Sequence, residues 1–515
     1  MSASISTPLS KEESYPAELA PALDTSLDTS LDSDLLAGIA WTGGMKWAVQ
    51  IVSWASTMIV ARLLTPGDFG LMGMAAVYLG FVALVNEFGL TAAILRDRDL
   101  SEGHIAQLGG FGIVVGMVLC LLSVAVAGPI AGFYGESEIR GVVEILSLNF
   151  LFSSIGVLPR ALLARDLRFR QLSFIDAASN AVQIAFTITL AFLGFRYLSL
   201  VFGSLAASAV ASVLACLVRR HRLAFPTHVR EISESLRVGW HVVVGRISWY
   251  TYQNADFAIV GRVLGKGVLG AYTLGWEIAT LPVERISALI SQVTPAIFSS
   301  VSSDRPALRR YYLALVEGLA FFTFPASVGI ALTAPLLVPL ALGPQWTRAI
   351  LPLQLLAVYG GMRSITTINA PVMIYTRHSR QSMWYAVIGA VVLPAMFFFG
   401  TRWGAAGVAA MWIIGYPVVL IPSYRLVFRI LELSPRAFFL NLWPAISSTL
   451  LMALAVFTER ALVAPSMSVP VRLGMEVALG VIVYSGVMLA LHRQRLLAFV
   501  TLVRTARRTK ALAGT

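Results

Sequence analysis

The chain is short of charge and of cysteine. Of its 515 residues only 13% are Asp, Glu, Lys or Arg, against 57% hydrophobic, and the mean hydropathy is +0.77. A water-soluble domain carries roughly twice that charged fraction, so most of this surface faces something other than water and the chain reads as an integral membrane protein. Two cysteines, Cys120 and Cys216, both inside apolar runs, exclude a disulfide-stapled scaffold. Six histidines without metal-ligand spacing offer no metal centre. Acidic residues are scarce as well, 27 against 39 Lys and Arg, for a net charge of +12. Such an excess suits nucleic acid or an anionic membrane surface, and the placement of the charges decides between them.

Residues 1–36 are polar and acidic, with an LDTS-LDTS-LDSD reiteration and a single basic residue, Lys11. They read as a disordered tail with no signal peptide. Beyond them, apolar runs long enough to cross a bilayer, ~20 residues each, follow almost to the end: near 43–64, 69–95, 107–131, 140–162, 172–194, 197–218, 238–264, 268–300, 311–342, 350–375, 382–400, 404–424, 440–458 and 473–491. Pro282, Pro325 and Pro335 would let the long eighth and ninth runs bend or tilt. With fourteen spans and the acidic tail in the cytoplasm, 25 basic residues fall on the cytoplasmic side and nine on the other, as the positive-inside rule requires. The excess charge is then topological, nucleic acid need not be invoked, and both termini are expected in the cytoplasm.

The chain also repeats itself. Residues 59–70, IVARLLTPGDFG, and 259–270, IVGRVLGKGVLG, align without a gap at an offset of 200, with six of twelve positions identical. The match falls where span 1 turns into span 2 and where span 7 turns into span 8. Six spans separate the copies, so both halves keep one orientation and are related by an axis along the membrane normal. The expectation is an all-α membrane protein of two six-helix lobes with a cavity between them: an N-lobe at 37–222, a C-lobe at 223–436, two added spans at 437–492 and a basic cytoplasmic tail at 493–515.

Ionisable groups at membrane depth cost several kcal/mol unless they face protein or water, so they single out candidate site residues. Lys46 in span 1 and Arg246 in span 7 are repeat equivalents. Lys46, Gln50, Ser53 and Thr57 share one helical face, as do Arg246, Trp249, Gln253 and Asp256, with Tyr250, Tyr252 and Asn254 nearby. Two polar stripes headed by cations suit a ligand with an anionic group, held by charge-assisted hydrogen bonds, and sugars, bound by Gln, Asn, Tyr and Trp. The competing reading is that Lys46 and Arg246 snorkel to the interface. Asp256 is either a proton or sodium site or the partner of a basic neighbour. Glu87, Glu277, Glu284, Glu317, Arg285 and Arg363 are weaker candidates, for which ion pairs between spans are the plainer account. Arg62 and Arg262, at the outer helix ends, need only anchor at the interface.

Gly261-Arg-Val-Leu-Gly265-Lys266-Gly267 is one residue short of a phosphate-binding loop and lacks the Ser or Thr after its lysine. Asp97-Arg98-Asp99 sits in a short loop and reads as a solvated cluster. Nothing in the sequence reads as an enzyme.

The phrases ARLLTPGDFGLMGMAAVY (61–78), DFAIVGRVLG (256–265), LGAYTLGWEIATLP (269–282), TPAIFSSVSSD (294–304) and LGPQW (342–346) together resemble the polysaccharide-transport (Wzx-type) branch of the multidrug/oligosaccharidyl-lipid/polysaccharide flippase superfamily, over about residues 40–430. The resemblance implies two six-helix lobes forming a V, two further C-terminal helices, and translocation of undecaprenyl-diphosphate-linked oligosaccharide across the bacterial inner membrane for exopolysaccharide, O-antigen or lipopolysaccharide assembly. It implies a basic cavity to which Lys46 and Arg246 could correspond, membrane lipids, a polysaccharide polymerase and export machinery as partners, and no cofactor beyond a coupling proton or sodium ion. The alternatives are a drug/cation antiporter of the same superfamily, a lipid II flippase, or a membrane-embedded polymerase or ligase. The last would need a large outer loop, and the longest here is roughly a dozen residues.

Overall fold

The computed structural model describes residues 50, 52–86, 101–221, 224, 240–301, 304–462, 467–495 and 497. The described helices are α1 (Val52–Leu63), α2 (Pro66–Asn86), α3 (Glu102–Tyr134), α4 (Glu138–Arg165), α5 (Phe169–Phe192), α6 (Tyr197–Val218), α7 (Trp240–Leu264), α8 (Lys266–Val301), α9 (Arg305–Ala341), α10 (Ile350–Thr366), the short α11 (Asn369–Tyr375), α12 (Ser379–Gly400), α13 (Gly404–Ile430), α14 (Pro435–Leu462) and α15 (Val469–Leu491). Among the described residues a helix falls within each of the fourteen expected spans, the tenth broken in two at residues 367–368. Among the described residues, nine segments are long and apolar enough to cross a membrane; one of them, Ser379–Ile430, folds back on itself as α12 and α13. The helices α7 and α8 fall outside that group because they carry Gln253, Asp256, Glu277, Glu284 and Arg285, polar groups that face protein or a crevice.

Helix ends follow from local chemistry. Thr65-Pro-Gly-Asp68 opens α2 with a reciprocal cap: the Asp68 carboxylate accepts from the Thr65 amide at 2.9 Å and its hydroxyl at 2.6 Å, and the proline fits the first turn. Gly135, at φ +73°, closes α3 in the left-handed conformation, its amide donating to the Ala131 carbonyl. The 36 residues of α8 run unbroken through Pro282 and Pro295. At 1.5 Å per residue they span ~54 Å, well beyond the ~30 Å hydrocarbon layer.

The lobes meet at the end of the bundle where α2 and α8 begin. There the N-terminal turns of α2 and α8 cross with no room for a side chain: a Cβ on Gly70 would lie 1.8 Å from the Lys266 carbonyl oxygen, and one on Gly270 would lie 1.7 Å from that of Pro66. Gly70 and Gly270, like Pro66 and Lys266, are repeat partners at the offset of 200, so the pseudo-two-fold axis passes between these helices. Small residues allow such close approach in membranes. Around the crossing one apolar core runs through both halves, from Leu71, Met74, Ile139 and Val143 to Val260, Tyr272, Tyr359 and Trp412. The helix α1 is shared: Val60 and Leu64 pack in the N-lobe with Ala191, while Ala61 packs with Leu274, Val338 and Trp346 of the C-lobe.

Polar contacts reinforce this latched end. The Arg62 guanidinium reaches from α1 to the last carbonyls of α9, donating from Nε to Ala341 at 3.0 Å and from Nη2 to Leu340. Its repeat partner Arg262 reaches the other way, 5.7 Å above the Phe133 ring at the end of α3. A cation at a helix C-terminus stabilises by about 0.3–1 kcal/mol, here twice and in opposite directions. Lys266 Nζ bridges to Glu136 at 2.9 Å and Glu138 at 2.6 Å, and Trp346 Nε1 donates to the Ala61 carbonyl at 2.8 Å. Arg62 and Arg262, expected as interface anchors, thus join the lobes. Outside the repeat, α14 and α15 pack on α9; Arg460 grips the fully buried Glu476 at 2.8 Å and also donates to the Leu332 carbonyl.

The opposite end carries Arg160, Arg165, Arg168 and Arg170, Arg305, Arg309 and Arg310, Arg377 and Arg380, and Arg425, Arg429 and Arg436. The helix order therefore sorts the basic residues to one end, as the charge count anticipates.

Replacing Gly70 or Gly270 by alanine forces two backbones apart. Each substitution should lower stability by about 1–3 kcal/mol, read as the thermal unfolding midpoint of the purified protein in detergent. Gly103→Ala, where nothing lies within 4 Å of the new methyl, should not.

Candidate functional site: two inter-lobe crevices

From the latched end, two crevices run between the lobes. The first, about 520 Å³, lies between α1 of the N-lobe and α8 and α9 of the C-lobe, lined by Gln50, Ser53, Thr57, Glu277, Glu284 and Arg285 among apolar neighbours. The second, about 680 Å³, lies between α2 and α3 of the N-lobe and α7 and α12 of the C-lobe; Val77, Tyr78, Phe81, Phe133, Tyr250 and Asn254 line it. Helices α1, α8 and α9 are the repeat counterparts of α7, α2 and α3, so the two crevices are one structure seen twice. Their chemistry has diverged. Glu277 and Leu281 of the first occupy the positions of Val77 and Phe81 in the second, and Gln50 answers to Tyr250.

The charged crevice is wired across the lobes. Arg285 Nη2 donates to the Gln50 side-chain oxygen, while its neighbour Glu284, 58% exposed, turns the other way to meet Arg363 of α10, Nη1 to Oε1 3.8 Å, whose side chain is only 18% exposed. Neighbouring residues on a helix point about 100° apart, which lets α8 serve both partners. Glu277 stands in the open crevice, two turns towards the latched end. The apolar crevice is closed by the Tyr250 hydroxyl, which donates to the Val77 carbonyl at 2.9 Å with the Ala76 carbonyl at 3.3 Å. Asn254 Nδ2 is spent on the Tyr250 carbonyl of its own helix, 2.9 Å.

The polar face expected on α7 is divided by depth. Trp249, nearer the arginine-rich end, is 44% exposed, whereas Gln253 and Asp256 are turned into the C-lobe and buried. Seven residues separate Trp249 from Asp256, ~10 Å of rise, enough for one helical face to pass from open surface into the core as the lobes converge. Asp256 Oδ2 accepts from the Tyr272 hydroxyl at 2.7 Å and from Trp412 Nε1 at 2.9 Å; Oδ1 has no partner among the described residues. Around it stand Trp276, Tyr359, Trp412 and Tyr416. Trp276 also lines the charged crevice, so one ring separates the carboxylate cage from the gap between the lobes. Lys46 and Glu87 lie outside the described residues, and of Arg246 only the backbone is described. Of the remaining candidates, Gln50, Ser53 and Glu277 meet in the charged crevice with Arg363 behind them.

The geometry adds to the sequence reading at three places. Arg285, one of the weaker candidates, is the cation that lines the charged crevice, and Lys266, read only against the phosphate-loop pattern, bridges the lobes. The inter-lobe part of Arg62 and Arg262 was hidden, although their equivalence at the offset of 200 was the available signal.

Two repeated lobes latched at one end, with one charged and one apolar crevice between them at membrane depth, are the architecture of a membrane transporter. The solved structure "Lipid II flippase MurJ, inward closed conformation" shares this fold, with a TM-score of 0.74 over 89% of this chain and all of that one, at 13% identity. The chain belongs to the family described as polysaccharide biosynthesis protein, whose family model matches residues 59–351. It is 25% identical over 414 residues, 79% of this chain and 84% of the relative, to the lipopolysaccharide biosynthesis protein WzxC of Escherichia coli K12. It is 24% identical over 461 residues, 87% and 94%, to the teichuronic acid biosynthesis protein TuaB of Bacillus subtilis 168.

Asp256→Ala strands two buried donors and should cost about 2–4 kcal/mol, whereas Asp256→Asn, which keeps an acceptor oxygen in place, should cost less than half as much. Thermal unfolding followed by tryptophan fluorescence separates the two, since Trp412 reports on the cage.

Proposed function

We propose that the protein is a flippase that carries polyprenyl-diphosphate-linked oligosaccharide repeat units across the bacterial inner membrane for polysaccharide assembly. The observation that carries the reading is the charged crevice between α1 and α8. It places Arg285, Glu277 and Glu284 beside Gln50, Ser53 and Thr57 at membrane depth, with Arg363 paired to Glu284 behind them, in a chain whose family and relatives serve polysaccharide biosynthesis. Guanidinium groups bind diphosphate through paired charge-assisted hydrogen bonds, and carboxylates, amides and hydroxyls bind sugar hydroxyls. The polyprenyl tail stays in lipid, so the site must open sideways to the bilayer, as a crevice between helices of different lobes does.

The arginine-rich end faces the cytoplasm in this reading, with both termini there, and the latched end faces outward. The headgroup is admitted while the outer end is latched. Breaking the Arg62, Arg262 and Lys266 contacts and parting the Gly70–Gly270 crossing then lets the lobes rock open at that end and release it. Lys46 and Arg246, repeat-equivalent cations in the sequence, take part in first capture, and Trp249 offers an exposed ring for a sugar face. Asp256, one ring away from the crevice, is the candidate for coupling to a proton or sodium ion. A polymerase and export machinery would receive the product.

Proteoliposomes containing a labelled polyprenyl-diphosphate oligosaccharide test this. The intact protein should expose inner-leaflet label to an external lectin, and Arg285→Ala/Arg363→Ala should slow that by at least about tenfold, one to two charge-assisted contacts. Lys46→Ala/Arg246→Ala should abolish polymer export in cells while the protein remains folded. Flipping at the intact rate by the Arg285→Ala/Arg363→Ala variant sinks the assignment.

A further inference from the structure

At the arginine-rich end, remote from both crevices, a cavity of about 480 Å³ lies between α9, the turn joining α13 to α14, and the chain after α15. Arg305, Arg309, Arg310 and Arg495 line it. Arg305 is paired with Glu432 at 3.0 Å, and Arg309 Nη1 donates to the Glu432 main-chain carbonyl at 3.2 Å, leaving its other guanidinium hydrogens uncommitted by that bond. Arg310 lies 5.5 Å from the centre of the Tyr311 ring. Arg310, Leu313 or Ala314, and Glu317 recur at helical spacing and form one stripe running down α9 into the cavity. At its foot Glu317 is 8% exposed, and its Oε1 has no hydrogen-bond partner among the described residues. A buried, unpartnered carboxylate oxygen beneath a ring of cations calls for a ligand that is anionic at one point and a hydrogen-bond donor at another.

We propose that this cavity holds the headgroup of a membrane glycerophospholipid, its phosphate among Arg309, Arg310 and Arg495 and its terminal donor, a glycerol hydroxyl or an ethanolamine ammonium, on Glu317. Arginine is the residue suited to paired N–H contacts with phosphate oxygens, and basic pockets between helix ends are where membrane proteins take phospholipid heads. About 100° round α14 from the cavity-lining Asn441, Leu440 is 56% exposed, apolar surface at the edge of the cavity against which an acyl chain can lie. Asn441, on the same turn, lines the cavity and ties α14 to α9 through the Leu313 carbonyl at 2.9 Å. A lipid held here joins the added helix pair to the C-lobe. The site does not depend on what the crevices transport.

The test is native mass spectrometry of the full-length protein after detergent removal of bulk lipid from nanodiscs holding equal parts phosphatidylglycerol, phosphatidylethanolamine and phosphatidylcholine. One phosphatidylglycerol or phosphatidylethanolamine should remain bound in preference to phosphatidylcholine, whose quaternary head cannot donate. Arg309→Gln/Arg310→Gln should reduce that retention about tenfold, the loss of roughly one charge-assisted contact. Arg168→Gln/Arg170→Gln, the same change of charge at the same end of the N-lobe, should leave it intact. Equal thermal midpoints in phosphatidylcholine nanodiscs establish that the variants fold. Undiminished retention by the Arg309/Arg310 variant, or indifference to the head, overturns the proposal. So does stabilisation by inorganic pyrophosphate with no lipid retained, which would assign the cavity to a soluble anion.

Discussion

The backbone crossing of α2 and α8 at Gly70 and Gly270 is the constraint from which the rest of the architecture follows. Two helices that touch backbone to backbone cannot slide past one another without separating, and the symmetry of the contact means that whatever one lobe does to the other is returned. With the lobes pinned at this end, their helices diverge towards the other, and the space between them becomes the two crevices. The arginines that cap each other's lobes, Arg62 on α9 and Arg262 beside α3, are exchangeable contacts laid over a close steric fit. Such contacts can break at modest cost because both partners lie at a helix end within reach of water.

Symmetry creates the two crevices and divergence gives them different work. At equivalent positions one side holds Glu277 where the other holds Val77, and Gln50 where the other holds Tyr250. A transporter of an amphiphile needs both kinds of surface, a polar one for the head and an apolar one that seals or contacts hydrocarbon. A duplicated fold supplies them by changing side chains without changing the backbone. The hydroxyl of Tyr250 on the Val77 carbonyl closes one gap, while the other is edged by the ion pair of Glu284 with Arg363.

Much of this was legible beforehand. Apolar runs gave the helices, and the alternation of basic residues gave the end at which each begins. The offset of 200 gave the pseudo-axis. Gln50, Ser53 and Glu277 were found as crevice residues because a polar side chain at membrane depth needs a reason to be there. Asp256 and Gln253 were found as exceptional but not located, since helical periodicity assigns a face and not the depth at which that face becomes buried. Arg285 and Lys266 were undervalued because their partners, Gln50 and the Glu136–Glu138 pair, lie 235 residues and 128–130 residues away along the chain.

Sequence alone determined what is periodic or additive: an all-helical membrane protein, its halves, its orientation signal and the residues too polar to face lipid. Tertiary structure decided which of those residues meet. Burial and pairing depend on how two lobes converge along a common axis, and convergence is set by contacts between distant segments, such as a glycine against a carbonyl, that leave no pattern in either segment by itself.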